Sequence, residues 1–188
     1  MKKFELTAEF VTNVFGKKLF RIKALVAFGN VEKGELGGFI EKEDNLSHDG
    51  DAWVFGNAQV FDNAQVFDNA WVFGDAQVCG DAQVCGNAQV FGDARVCGNA
   101  QVFGNADYAV VAGFGRYFRT TTFFRCKDKI LRVQCGCFYG DLAQFREIVK
   151  KTHGDSKYAK EYLAIADLME LHFSDKCGGE QMNDGKIY

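Results

Sequence analysis

From Ala52 to Asn105 the chain repeats every six residues: AWVFGN, AQVFDN, AQVFDN, AWVFGD, AQVCGD, AQVCGN, AQVFGD, ARVCGN, AQVFGN. Each of these nine units has Ala first, Val third, Phe or Cys fourth, then Gly or Asp followed by Asn or Asp. An amphipathic helix does not accommodate a period of six with turn formers in every unit. A hairpin meander needs longer strands than such spacing leaves. The economical solution is a very short strand, a corner and another very short strand, wound as a parallel β-helix. Val packs well in strands. Gly, Asn and Asp tolerate tight turns and left-handed backbone angles. The chain has no Pro, whose missing donor would break a ladder.

The repeat resembles the hexapeptide signature of left-handed parallel β-helices. In that family an aliphatic residue points inward at mid-strand and a small residue fills the corner two positions earlier. Val54, Val60, Val66, Val72, Val78, Val84, Val90, Val96 and Val102 match the first position, and the Ala two places before each matches the second. The left hand of the coil is implied by this resemblance alone, since it runs against the usual crossover rule. Three units make one triangular turn, and turns stack about 4.8 Å apart. Calcium-binding β-rolls repeat about every nine residues, so the Asx-rich corners read as turns and no metal is expected. Ala106-Asp107-Tyr108 and Ala112-Gly113-Phe114 keep the register with larger inward residues. Upstream, Leu46 and His48 fall in the small and aliphatic positions, and His48 reads as part of a cap.

The outward positions sort into three faces. The face through Val54, Val72 and Val90 displays Trp53, Phe55, Trp71, Phe73, Gln89 and Phe91, including both tryptophans of the chain. An apolar face of this kind calls for a cover, and each well-buried Phe contributes roughly 1.5–3 kcal/mol. Trp53, Phe55, Trp71, Phe73 and Phe91 are therefore expected to drive self-association. A homotrimer is what the family resemblance implies, and coverage by the C-terminal domain is the alternative. Cys79, Cys85 and Cys97 take the Phe position and read as surface or interface residues rather than redox pairs. Cys79 and Cys97 lie one coil apart, but a disulfide is atypical of a reducing compartment.

The flanks differ from the coil. Residues 1–44 read as an N-terminal β cap, with strands near Phe4–Thr7 and Leu19–Lys23 and a glycine bend before Phe39. Residues 45–115 are assigned to the coil and residues 116–188 to a small α+β domain. That domain has strands at Arg119–Cys126 and Ile130–Cys137, then one helix capped by Asp141 and another from about Ser156 to Phe173. The fold class is mainly β: a left-handed parallel β-helix with an N-terminal capping hairpin and a C-terminal hairpin plus two helices. The whole chain resembles a group of phage- and prophage-encoded proteins, through Gly38-Phe39-Ile40, Asn45-Leu46-Ser47 and Gly136-Cys137-Phe138. That resemblance specifies organisation and implies no chemistry.

The net charge is -3, unevenly spread. Residues 45–105 hold one basic and seven acidic side chains, whereas Arg116, Arg119, Arg125, Lys127, Lys129 and Arg132 crowd the C-terminal hairpin. The acidic coil would repel a long phosphate backbone, while the hairpin suits a small nucleotide or an acidic protein. Arg119, Arg125, Lys127 and Arg132 are the leading binding residues. No phosphate loop, dinucleotide fingerprint, paired-His zinc helix or nucleophile elbow occurs. Many hexapeptide proteins are acetyl-CoA-dependent acyltransferases whose base is a coil-edge His. Here the nine units contain none, and only His48, His153 and His172 are available. Cys126, Cys135, Cys137 and His153 match zinc in number but not in spacing. Neither a secretion signal nor a membrane span is read, and seven cysteines fit a cytoplasmic chain of free thiols. The expectation is a non-enzymatic oligomeric binding protein without cofactor. In the phage context it would block or sequester a host-defence protein or nucleotide signal. An acyltransferase and a purely structural assembly protein are the alternatives.

Overall fold

The computed structural model describes residues 1–174; Cys177 and the rest of 175–188 lie outside the described residues. The chain enters through β1 (Phe4–Thr12), β2 (Lys18–Ala24) and β3 (Leu36–Ile40). Strand β1 pairs antiparallel with β2, and β2 with β3. Nine two-residue strands follow, one per repeat unit: β4 (Trp53–Val54), β5 (Gln59–Val60), β6 (Gln65–Val66), β7 (Trp71–Val72), β8 (Gln77–Val78), β9 (Gln83–Val84), β10 (Gln89–Val90), β11 (Arg95–Val96) and β12 (Gln101–Val102). They stack in parallel, in register, as β4-β7-β10, β5-β8-β11 and β6-β9-β12. The result is a parallel β-solenoid with three stacked sheets. Every repeat Val and every repeat Ala is completely buried. The fifth residue of each unit from Gly56 to Gly98 has positive φ, Asp62 and Asp68 included. Those two aspartates are strained there, and their carboxylates offset the cost by accepting the Gly80 and Gly86 N–H groups one coil on, at 3.0 and 3.1 Å.

Both ends of the solenoid are closed by the chain itself. Strand β3 runs through the expected glycine bend and pairs parallel with β5, so it forms the preceding rung of that face. It does so because its backbone joins the ladder, Phe39 N donating to Ala58 O and Glu41 N to Val60 O. Ser47 N donates to Val66 O on a second face, and buried side chains meet four further carbonyls at this end. Asn45 donates to Asp62 O and Ala64 O, and Lys3 donates to Gly50 O and Ala52 O. His48 stacks on Phe4 at 4.3 Å, accepts the Lys3 N–H at Nδ1 and meets Glu43 through Nε2 at 2.7 Å. This is the capping role expected of it.

The C-terminal sheet is larger than the expected hairpin. Strands β13 (Tyr108–Phe114), β14 (Arg119–Arg125), β15 (Leu131–Cys135) and β16 (Phe138–Asp141) pair antiparallel in that order. Of the two larger residues expected to keep the coil register, Tyr108 does turn inward and is buried in the coil core, whereas Phe114 is 43% exposed. The corner positions of the next unit are Val110 and Val111, which resist the left-handed turn, so the chain runs on as a strand. One sheet face, with Thr122, Phe124 and Cys126, closes the last coil: Thr122 Oγ1 accepts Arg95 N–H at 3.0 Å, and Asn99 O accepts Lys127 N–H. The other face, with Phe123 and Val133, packs under α1 (Leu142–His153) and α2 (Lys157–His172). Asp141 and Gln144 form the expected capping box of α1, at 2.8 and 3.0 Å. No helix among the described residues is long and apolar enough to cross a membrane.

The aromatic face is partly covered within one chain. Trp53 is completely buried, with Phe28 and Phe4 edge-on to it at 5.3 and 6.2 Å. Its place among outward interface residues is thus corrected: the N-terminal segment already covers it. Phe55 pairs with Trp71 and Phe73 stacks on Phe91, each at 5.5 Å. Phe55, Trp71 and Phe73 are half-buried by this ladder, and Phe91 is 49% exposed.

Candidate ligand-binding cleft

The turn between β13 and β14 is held against α2. Gly115 has φ +73°, its N–H donates to Glu161 at 2.9 Å, and a Cβ there would collide with the Tyr162 hydroxyl. Only glycine meets both demands. This anchor makes the next four residues project. Tyr117 and Phe118 are 62% and 72% exposed. The guanidinium groups of Arg116 and Arg119 lie 5.5 and 5.1 Å from the Tyr117 ring. Neither arginine has a hydrogen-bonded or ion-paired partner among the described residues.

Behind this tip lies a cleft of about 270 Å³. Arg116, Tyr117 and Arg119 form one wall, Cys135, Cys137 and Phe138 another, and His153 and Tyr162 a third. Phe145 and Val149 supply an apolar floor. Burial pushes the Tyr162 hydroxyl up to about 12, which keeps it neutral. His153 packs beside the rings of Tyr162 and Tyr158, at 5.8 and 6.3 Å. A second cleft of about 520 Å³ adjoins, lined by Asp93, Arg95, Phe118 and Thr120. Arg119 and Cys137 border both. Paired guanidinium groups, a stacking ring and an apolar floor make this region suited to holding a planar or phosphorylated anion.

The four expected binding residues do not form one surface. Arg119 opens β14 at the cleft. Arg125 closes the same strand about 20 Å away, beside Asp107 at 3.6 Å and over the Phe173 ring at 5.2 Å. Arg132 is bound to Asp128 at 2.7 Å. Lys127 sits exposed at that same far end, its backbone on Asn99. The cleft instead joins Arg119 to Arg116, with Arg95 nearby from the coil. Arg95 and His153 carried no local signal for this role: each reaches the site only through packing of distant segments.

Coil residues 64–80, 82–98 and 88–106 each match the YdcK beta solenoid repeat. The coil is thus similar to that solenoid repeat. The match lies within the coil and leaves both caps and the first cleft outside it, while Asp93 and Arg95 of the adjoining cleft fall inside it. No curated protein matches the chain.

The other candidate chemistry is dispersed. His48 has both ring nitrogens engaged in the cap, and His172 lies at the far end of α2 against Phe173. Cys126 faces the coil core, on the other side of the sheet from the cleft that Cys135, Cys137 and His153 line. Among the described residues no three His, Cys, Asp or Glu side chains converge as a metal site.

Proposed function

We propose that this protein is a non-enzymatic binding protein that holds a small phosphorylated or planar anion in the cleft at the β13–β14 tip. The observation that carries this reading is the pair Arg116 and Arg119. Both flank Tyr117, both lack a carboxylate partner among the described residues, and both open onto an apolar cleft. A structural arginine pair would be expected to lie against acidic side chains, as Arg146 does with Asp167 and Glu170. The cleft and its neighbour together suit a mononucleotide better than an extended chain, and the acidic coil disfavours long nucleic acid. Copies of the chain associate, in this reading, through Phe55, Trp71, Phe73 and Phe91. The resemblance to phage-encoded proteins supports a sequestering role, with a nucleotide signal as the cargo.

Calorimetry with a panel of mononucleotides and cyclic nucleotides tests the site. One class should bind, and the double variant Arg116→Glu, Arg119→Glu should lose at least tenfold in affinity. The comparison variant Arg125→Glu, Arg132→Glu should keep wild-type binding. Equal loss in both, or no heat with any anion, would overturn the assignment.

A further inference from the structure

Cys79 and Cys97 occupy equivalent places in successive coils, directly after β8 and β11. The ladder brings them together: Gln77 pairs with Arg95 and Val78 with Val96, and Cys79 N donates to Val96 O at 3.0 Å. Adjacent rungs about 4.8 Å apart fall inside the Cα separation that a disulfide spans. The side chains complete the approach, the two sulfur atoms lying 2.9 Å apart with the thiols free. Elsewhere in the coil the same stacked position pairs Phe73 with Phe91, or places Cys85 below Phe103; only here do two thiols meet.

We infer that Cys79 and Cys97 form an oxidisable dithiol site, converted by hydroperoxides into a reversible disulfide that staples two consecutive coils. The surroundings assign the roles. Cys97 is the thiol that ionises first: the Cys79 S–H hydrogen-bonds to it, and the Arg95 guanidinium favours its thiolate against burial and the Asp62 carboxylate. Cys79 is held protonated by the neighbouring Cys97 sulfur and by burial. Tyr139 faces Cys97 from the C-terminal sheet, over Gly98. In the first step the Cys97 thiolate attacks the peroxide. An S–O bond forms, the O–O bond breaks, and hydroxide leaves to be protonated to water; Cys97 becomes a sulfenic acid. In the second step Cys79, giving up its proton, attacks the Cys97 sulfur. The S–S bond forms, the S–O bond breaks and a second water departs. Two thiols and one hydroperoxide, here hydrogen peroxide, give one disulfide and two waters.

The linkage is in-register and closes a loop of one coil, so it stabilises the structure without rearranging it. Treatment of the whole protein with a small excess of hydrogen peroxide should lower its intact mass by two hydrogens, about 2 Da. Peptide mapping should join Cys79 to Cys97, and dithiothreitol should restore the starting mass. The oxidised protein should melt roughly 5–10 °C higher. Cys79→Ser and Cys97→Ser should each abolish the mass loss, and Cys85→Ser should leave it intact. Mapping of the wild-type protein stands independently of whether any variant folds. A stable sulfinic acid on Cys97, a bond between any other cysteines, or unchanged thiols under peroxide would each overturn the inference.

Discussion

Lys3 is the most unusual single residue in the molecule. It is 3% exposed, donates to two first-coil carbonyls and lies 4.7 Å from the Phe28 ring. Burial lowers its ammonium to about 8, although Asp51 and Asp49 pull the other way. The folded value lies below the unfolded one of about 10.4. Between pH 8 and that value the unfolded chain therefore binds more protons, and stability rises with pH. Relative to Lys3→Met, the wild-type protein should gain on the order of 3 kcal/mol across that window, with a flat difference below it. Urea midpoints of the two proteins at pH 7, 9 and 10.5 check this, and subtraction removes other titrations. A lysine in a short amino-terminal stretch carries no sequence mark of such burial. It becomes a plug only because the open coil end presents carbonyls without partners.

A two-residue strand has no stability of its own, so each rung depends on those above and below. Val78 sits between Val60 and Val96 with no exposure. Val78→Asp buries a carboxylate without a partner and should cost about 4 kcal/mol or more. Loss of the β signal in circular dichroism and a collapsed melting transition are the expected readings. The coil was legible in the sequence because one residue type recurs at one geometric position nine times. The helices were legible too, through Asp141, Gln144 and Ser156 at their starts. Strand β13 was not. Ala106 and Ala112 preserved the spacing, and the decisive change lay in Val110 and Val111 replacing turn formers. Strand β16, at Phe138–Asp141, was hidden because the sheet needed a partner that β15 alone did not announce. The cleft was half legible. Arg116 and Arg119 stood out within the basic stretch of the hairpin, whereas His153, Tyr162 and Arg95 converge on the cleft only through tertiary packing.

At the scale of the whole molecule, the surface ladder of Phe55, Trp71, Phe73 and Phe91 stays open after Trp53 is withdrawn into the cap. Light scattering at low micromolar concentration should give about three times the 20.9 kDa chain mass. Phe91→Glu should shift the population toward smaller particles, and a monomer in the wild-type protein would reject the proposal. The two terminal caps have a separate consequence. Because β3 and the C-terminal sheet each occupy the ladder where a further coil would add, the stack cannot lengthen by joining another end to end. Its length is counted in repeats, and the count sets two coordinates at once. Adding eighteen residues would move the cleft about 4.8 Å along the axis and keep its bearing. Adding six would swing it a third of a turn, toward a different side of any neighbouring copy. The repeat number thus works as a combined spacer and compass, and only whole coils can be gained or lost without turning the binding tip away from its present heading.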